Sequence, residues 1–206
     1  YLMKSIVVEI KKKDLEIATQ FAKDRVHLSI DHYKKRGQGS LDKITHDITT
    51  GALGEIGIYR AFKRLGIKTS KPDLNVYETK KKSYDADLND STGNRFHCKS
   101  QCVESANKYG KSYILQYGGN GMGHVDKLFR NVTNRDFLVP CLVDVENMEV
   151  IIFGCIKIET IMKKDLVKMP KVKWLEYSKR AIYLDDLFTL SWYERWGRLK
   201  KQSVIE

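Results

Sequence analysis

A carboxylate set into the apolar stripe of a helix is the feature that most restricts how this chain can fold. From about Leu41 to Leu65, with a stop at Gly66, the residues Ile48, Ala52, Tyr59 and Phe62 recur at the three- and four-residue spacing of one helix face. Glu55 falls in the same stripe, three residues after Ala52 and four before Tyr59. An acid aimed at the interior side of a helix is costly unless something compensates its charge. Gly51, Ala52, Gly54 and Gly57 crowd around it, and such small residues weaken a helix unless they let another backbone come close. The expectation is a helix pressed onto a sheet, with one acid reaching the sheet edge.

Residues 84 to 101 supply a partner for that acid. Tyr84 to Leu88 and Arg95 to Gln101 can alternate as strands around the turn-forming Asn89-Asp90-Ser91-Thr92-Gly93-Asn94, which predicts an antiparallel hairpin. Strand parity puts Asp85 and Asp87 on one face of the first strand and His97, Lys99 and Gln101 on one face of the second. Phe96 and Cys98 then point the other way, into the core. A helix from about Asp14 to Arg36 with Gly37 as its C-cap, a short helix near Val103 to Tyr109, and a strand over Ser112 to Tyr117 complete the first part. Phe137 to Val145 and Val150 to Ile158 read as a second hairpin around Glu146-Asn147. The tail beyond Glu159 is basic and helical in pattern, with Trp192, Trp196 and Leu199 on one stripe that favours core or dimer packing over base stacking.

Neither an internal repeat nor a Gly/Ser-rich linker divides the 206 residues, so one domain over 1–206 is expected, with an N-terminal helical region about 14–65 and a β-rich core about 84–158. Lys and Arg total 37 against 26 Asp and Glu, a formal charge of +11 that favours a polyanionic partner through phosphate attraction and counterion release. Lysine runs at Lys11 to Lys13, Lys34 to Arg36, Lys80 to Lys82 and Lys163-Lys164 are candidates for a nucleic-acid groove, although solvated surface is the commoner explanation for any one of them. Cys98, Cys102, Cys141 and Cys155 form no CxxC pair, and reduced, mostly buried thiols in an intracellular, cytoplasmic protein are the simplest account. No stretch reaches the ~20 apolar residues of a membrane span, the opening has no signal-peptide pattern, and Met3 is the expected natural start. Gly118 to Gly123 is not a phosphate-binding P-loop, because no Lys-Ser or Lys-Thr follows it.

Cleavage of a phosphodiester needs an activated water, neutralisation of phosphate charge and help for the leaving oxygen. Carboxylates holding a divalent ion, with a lysine beside them, meet those needs. Glu55 on an early helix, Asp87 on one strand and His97-Cys98-Lys99 on the next resemble the PD-(D/E)XK, or restriction-endonuclease-like, nuclease superfamily over about residues 50 to 117. The resemblance implies an α/β (α+β) fold with a central mixed β-sheet flanked by helices. It implies Asp87 as the central metal ligand, Lys99 as the catalytic lysine, and Glu55 as the helix acid that supports the metal or a bound water, with Mg²⁺ as cofactor and Mn²⁺ as its substitute. Asp85, on the face of Asp87, is a further candidate ligand. Gln101, with Ser100 and Gln116, resembles the polar residues that follow the lysine strand in the superfamily and joins the candidate catalytic set.

His97 departs from the pattern, since it stands where the superfamily usually has Asp or Glu. Imidazole suits Mg²⁺ less well than oxygen does, so His97 is a weak ligand, a water-positioning group or the sign of an altered site. The literal motif falls elsewhere, at Pro72-Asp73 with Glu78-Thr79-Lys80, and Glu9-Ile10-Lys11 repeats its second half. Four residues between Asp73 and Glu78 leave little room for two strands and a turn. The leading expectation is a Mg²⁺-dependent endodeoxyribonuclease acting on DNA, as a homodimer where both strands are to be cut. A DNA-binding module with a degenerate site on the same fold, and an RNA-directed nuclease, are its rivals. The bland alternative makes Asp85, Asp87 and Asp90 solvated turn residues and His97 and Lys99 the exposed face of an edge strand.

Overall fold

A computed structural model of the chain describes residues 5–34, 39–77, 86–118, 125–126, 129 and 132–200. The fold mixes α and β elements around a sheet flanked by helices. In chain order the elements are β1 (Ile6–Glu9), α1 (Lys12–Lys34), α2 (Leu41–Arg64), β2 (Leu88–Asn89), β3 (Arg95–Cys102), α3 (Val103–Tyr109), β4 (Ser112–Gln116), β5 (Asp136–Asp144), β6 (Glu149–Ile152), β7 (Ile156–Lys157), α4 (Ile158–Lys163), β8 (Lys179–Tyr183), α5 (Leu184–Leu187) and α6 (Trp192–Lys200). The main sheet runs β1-β6-β5-β3-β2, with β7 also paired to β5, and β4 and β8 form a separate two-stranded sheet. Only the β3–β5 pairing is parallel among these, and α3 and β4 lie in the crossover that joins the two strands.

β5 explains why the sheet is covered on both faces. All of its residues but the last are buried, as a near-continuous apolar run requires. Phe137, Val139, Cys141 and Val143 enter one core with α1 and α2, while Leu138 and Leu142 enter a second core with β4, β8 and α4. α2 lies across the first face, and its glycines set how close it comes. A Cβ on Gly54 would stand 1.9 Å from Ser100 Oγ, and one on Gly57 would stand 2.6 Å from Val150 Cβ. Gly51 meets nothing within 4 Å, so the close approach rests on two of the three glycines. Asp14 ties α1 to this layer by capping Lys11 N at 2.7 Å and pairing with Arg60 of α2.

The expected helices over 14–36 and 41–65 are present within two residues at each described end, and Gly37 lies outside the described residues. Ser40 caps α2 through Lys43 N, and Gly66 takes a positive φ of 72° just beyond it. Three β features differ from expectation. β1 is an edge strand, paired antiparallel with β6, where the sequence offered only four residues before a lysine run. The predicted strand over Val150 to Ile158 breaks into β6 and β7, and Pro140 is the cause. Its carbonyl accepts Phe153 N at 3.0 Å, so its ring nitrogen, which has no hydrogen to give, faces the same neighbour and cannot continue the ladder. The freed segment turns to α6 instead, with Cys155 N donating to Arg195 O at 2.7 Å. Finally, the tail is not helical throughout. Lys179 to Tyr183 pair with β4, and the expected β-rich core therefore extends to residue 183. Trp196 is buried and Trp192 packs against the same core, as the stripe predicted, while the Leu199 side chain lies outside the described residues.

Candidate functional site

The hairpin forms, with Leu88 opposite Phe96 and Asn89 opposite Arg95, but its described first strand is only these two residues, Asn89 belongs to it rather than to the turn, and Tyr84 and Asp85 lie outside the described residues. Asp90 builds its turn by accepting Thr92 N and Asn94 N at 2.9 Å each, so this acid is committed to the turn. Asp87 sits one residue before β2. Its backbone N donates to Phe96 O at 3.1 Å, and its carboxylate accepts Cys98 N at 2.7 Å. Asp87 thus extends the ladder where β2 ends and holds the middle of β3 by its edge. Asp85 lies outside the described residues.

Alternation along β3 distributes the other candidates. Phe96 packs edge-on against Phe62 of α2, with ring centroids 4.9 Å apart, and Ser100 lies under Gly54, so Phe96, Cys98 and Ser100 face α2. His97, Lys99 and Gln101 face the opposite layer. Glu55 comes from α2, and its charge helps to push up the thiols of both Cys98 and Cys141. For each thiol burial is the larger cause, and Cys141 is pushed up to about 12. These thiols are neutral and poor nucleophiles. Glu55 and Lys99 therefore approach β3 from opposite faces. Asp87, at the edge, is the group that acts on both sides, since its charge raises the Cys98 thiol and the Lys99 ammonium alike.

Lys99 ends on a carboxylate the sequence reading did not single out. Its Nζ lies 2.7 Å from Asp126 Oδ2, and Asp126 N donates to Gln116 O at 2.8 Å, which fixes that acid beside the end of β4. Desolvation by itself would lower the lysine, but attraction to Asp126, its hydrogen bond and the charge of Asp87 outweigh it and leave Lys99 above its ordinary value. Lys99 is a fixed cation here, suited to neutralising charge and unsuited to accepting a proton.

His97 is engaged by a different carboxylate. Its Nε2 lies 2.9 Å from Asp136 Oδ1, and the same buried carboxylate takes a two-pronged contact from Arg95 and hydrogen bonds from Thr133 N and Oγ1. Burial alone would raise Asp136. Its donors Arg95, His97 and Thr133 reverse the sign and hold it well below the usual carboxylate range. Gln101 is also structural in its contacts: Nε2 donates to Gly110 O at 3.0 Å and Oε1 accepts Ser112 N at 2.9 Å, bracing the turn between α3 and β4. Asp73 of the literal motif accepts from Asn75 and Tyr77 nearby, and Glu78 to Lys80 lie outside the described residues.

The site therefore gathers Asp87, Lys99 and Asp126 on one side of β3 and its edge, with Glu55 on the other side across Cys98. Asp126 and Asp136 were not legible as functional positions, because each meets its partner only through the tertiary fold. Thr133 and Asp136, three residues apart at the entrance to an apolar strand, are the one local signal. Two carboxylates of this kind suit Mg²⁺ in type and number, since that ion takes one or two carboxylates and completes its shell with water and phosphate. His97 Nε2 is paired with Asp136. The chain matches no protein-family model, no curated protein and no solved structure.

Proposed function

We propose that this chain is a Mg²⁺-dependent endodeoxyribonuclease, with Asp87 and Glu55 as the residues that would hold the ion and Lys99, on the face of β3 opposite to Glu55, as the cation beside Asp87. The observation that carries the reading is the position of Asp87, whose charge is felt by Lys99 on one side and by Cys98, the neighbour of Glu55, on the other. Bound Mg²⁺ supplies polarisation of the phosphate and a more acidic water. Lys99, kept protonated by Asp126, offsets negative charge that develops on the phosphate oxygens. Asp126 is a further acid beside Lys99, while His97 pairs with Asp136. Support for a nucleic-acid partner comes from the net charge of +11 and from Trp174 and Tyr177, which are 75% and 79% exposed in a segment that also carries Lys171 and Lys173.

Plasmid and branched DNA incubated in Mg²⁺ or Mn²⁺ with the wild type, Asp87→Ala and Lys99→Ala test the proposal. Cleavage by the wild type and a loss of orders of magnitude in both variants is the expected result, because these groups act as an assembly. Equal cleavage by all three removes it.

A second reading, a DNA-binding module with a degenerate site, is favoured by the engagement of His97 with Asp136 and by the neutralisation of Lys99 by Asp126. Salt-sensitive DNA binding without calorimetric uptake of Mg²⁺ or Mn²⁺ selects it. Direct competition between DNA and RNA substrates separates both from a nuclease directed at RNA.

A further inference from the structure

A different set of donors meets at the far end of the contact between α2 and β3. His46 on α2, Cys102 at the last residue of β3 and Glu104 in the first turn of α3 each present one ligand atom, and the three atoms all lie within 4.8 Å of one another. This is the one such group of three among the described residues. It is separate from the Asp87 site. His46 precedes Glu55 by nine residues of helix and Cys102 follows Cys98 by four of strand, and each path spans about 13 Å. His46 and Glu104 are exposed and Cys102 is partly buried, so a cation has access from solvent while the sulfur anchors it to the fold.

The donor chemistry selects the cation. One sulfur, one imidazole nitrogen and one carboxylate oxygen form a borderline-soft set, which suits Zn²⁺ and disfavours Mg²⁺ and Ca²⁺. Zinc bonds of about 2.0–2.3 Å place tetrahedral ligand atoms roughly 3.2–3.8 Å apart. The three atoms need to close by about 1.6 Å at most, within reach of rotation by two exposed side chains. We propose that His46, Cys102 and Glu104 form a zinc site with three protein ligands and a fourth position open to water. Cys102 is hydrogen bonded to Glu104, which already holds two of the three donors together. On binding, the S–H bond breaks, a sulfur–zinc bond forms from the same electron pair, and the proton leaves to solvent. The ion then joins three elements, α2, β3 and α3, at one point.

The test uses the full chain, stripped of metal with a chelator and titrated with Co²⁺ as a spectroscopic substitute. The expected result is saturation at one equivalent, with a thiolate-to-cobalt charge-transfer band in the near ultraviolet and the intense visible bands of four-coordinate cobalt, all removed by added Zn²⁺. Cys102→Ser abolishes the charge-transfer band and Cys155→Ser leaves it intact. His46→Ala and Glu104→Gln, both at exposed positions that leave the fold in place, weaken Co²⁺ binding by at least tenfold. Absence of the band in the wild type, its survival in Cys102→Ser, or unchanged binding in both His46→Ala and Glu104→Gln overturns the proposal.

Discussion

Lys99 Nζ and Asp126 Oδ2 lie 2.7 Å apart, an ion pair that links β3 to the segment beyond β4. It strengthens the hold on the proton of the lysine in the candidate site. With the pair in place attraction outweighs desolvation, and Lys99 lies above its ordinary value of 10.5. The stability it contributes is complete below that ordinary value and is lost as the pH rises through the higher folded one. In Asp126→Asn desolvation is left opposed mainly by Asp87, and the Lys99 pKa falls. A titration of the Lys99 Nζ resonance by heteronuclear NMR reads this directly, and an unchanged midpoint contradicts it. If Lys99 serves the phosphate, the alkaline limb of the DNA cleavage profile moves down in the same variant.

Asp136 carries the opposite pH dependence. Its carboxylate is buried and takes contacts from Arg95, His97 and Thr133. Asp136→Ala leaves those donors without their acceptor, and a loss of about 3–5 kcal/mol is expected in urea or guanidinium unfolding. Because the folded pKa is depressed, the charge-dependent part of this stability is full above the ordinary carboxylate value of 3.8 and declines as the pH falls below it. The stability difference between the wild type and Asp136→Asn therefore narrows from neutral pH toward about pH 2. A difference that stays constant across that range contradicts the assignment.

The three glycines of α2 separate close packing from helix propensity. Gly54→Ala drives a methyl into Ser100, and Gly57→Ala drives one into Val150, so each destabilises the fold by about 1–3 kcal/mol as the helix lifts from the sheet. Gly51 faces open space, and Gly51→Ala stabilises by about 0.5–1 kcal/mol through helix propensity alone. Chemical denaturation of the three variants gives the signs. A stabilising Gly54→Ala shows that the layer spacing was misread.

Much of this architecture is written in local patterns. The apolar stripe and small residues of α2 announce a helix against a sheet, and the turn chemistry from Asn89 to Asn94 announces the hairpin. Parity along β3 places Phe96 and Cys98 in the core as alternation demands. What parity hides is which layer each face meets. Glu55 was expected to join Lys99, yet α2 covers the face of Cys98 while Lys99 turns to the other layer and to Asp126. β8 was hidden for a related reason, since five residues of a basic tail become a strand only because β4 offers them an edge. His46 and Cys102 likewise meet through the packing of α2 on β3, with no sequence spacing to announce them.

Glu55 and Asp87 offer the sharpest contrast between function and stability. Glu55→Gln removes a charge from a partly buried helix face beside two neutral thiols, and it leaves stability unchanged or raises it. Asp87→Asn keeps an oxygen able to accept Cys98 N, so the hairpin and the fold remain. If these acids take no part in the chemistry, DNA cleavage is unaffected by either change. A role in holding Mg²⁺ predicts that both variants unfold at or above the wild-type midpoint and lose cleavage by at least a hundredfold, with calorimetric Mg²⁺ or Mn²⁺ affinity falling in step. Joint loss of stability and activity, by contrast, makes the two carboxylates parts of the scaffold, and the hydrolytic assignment to Asp87 fails with it.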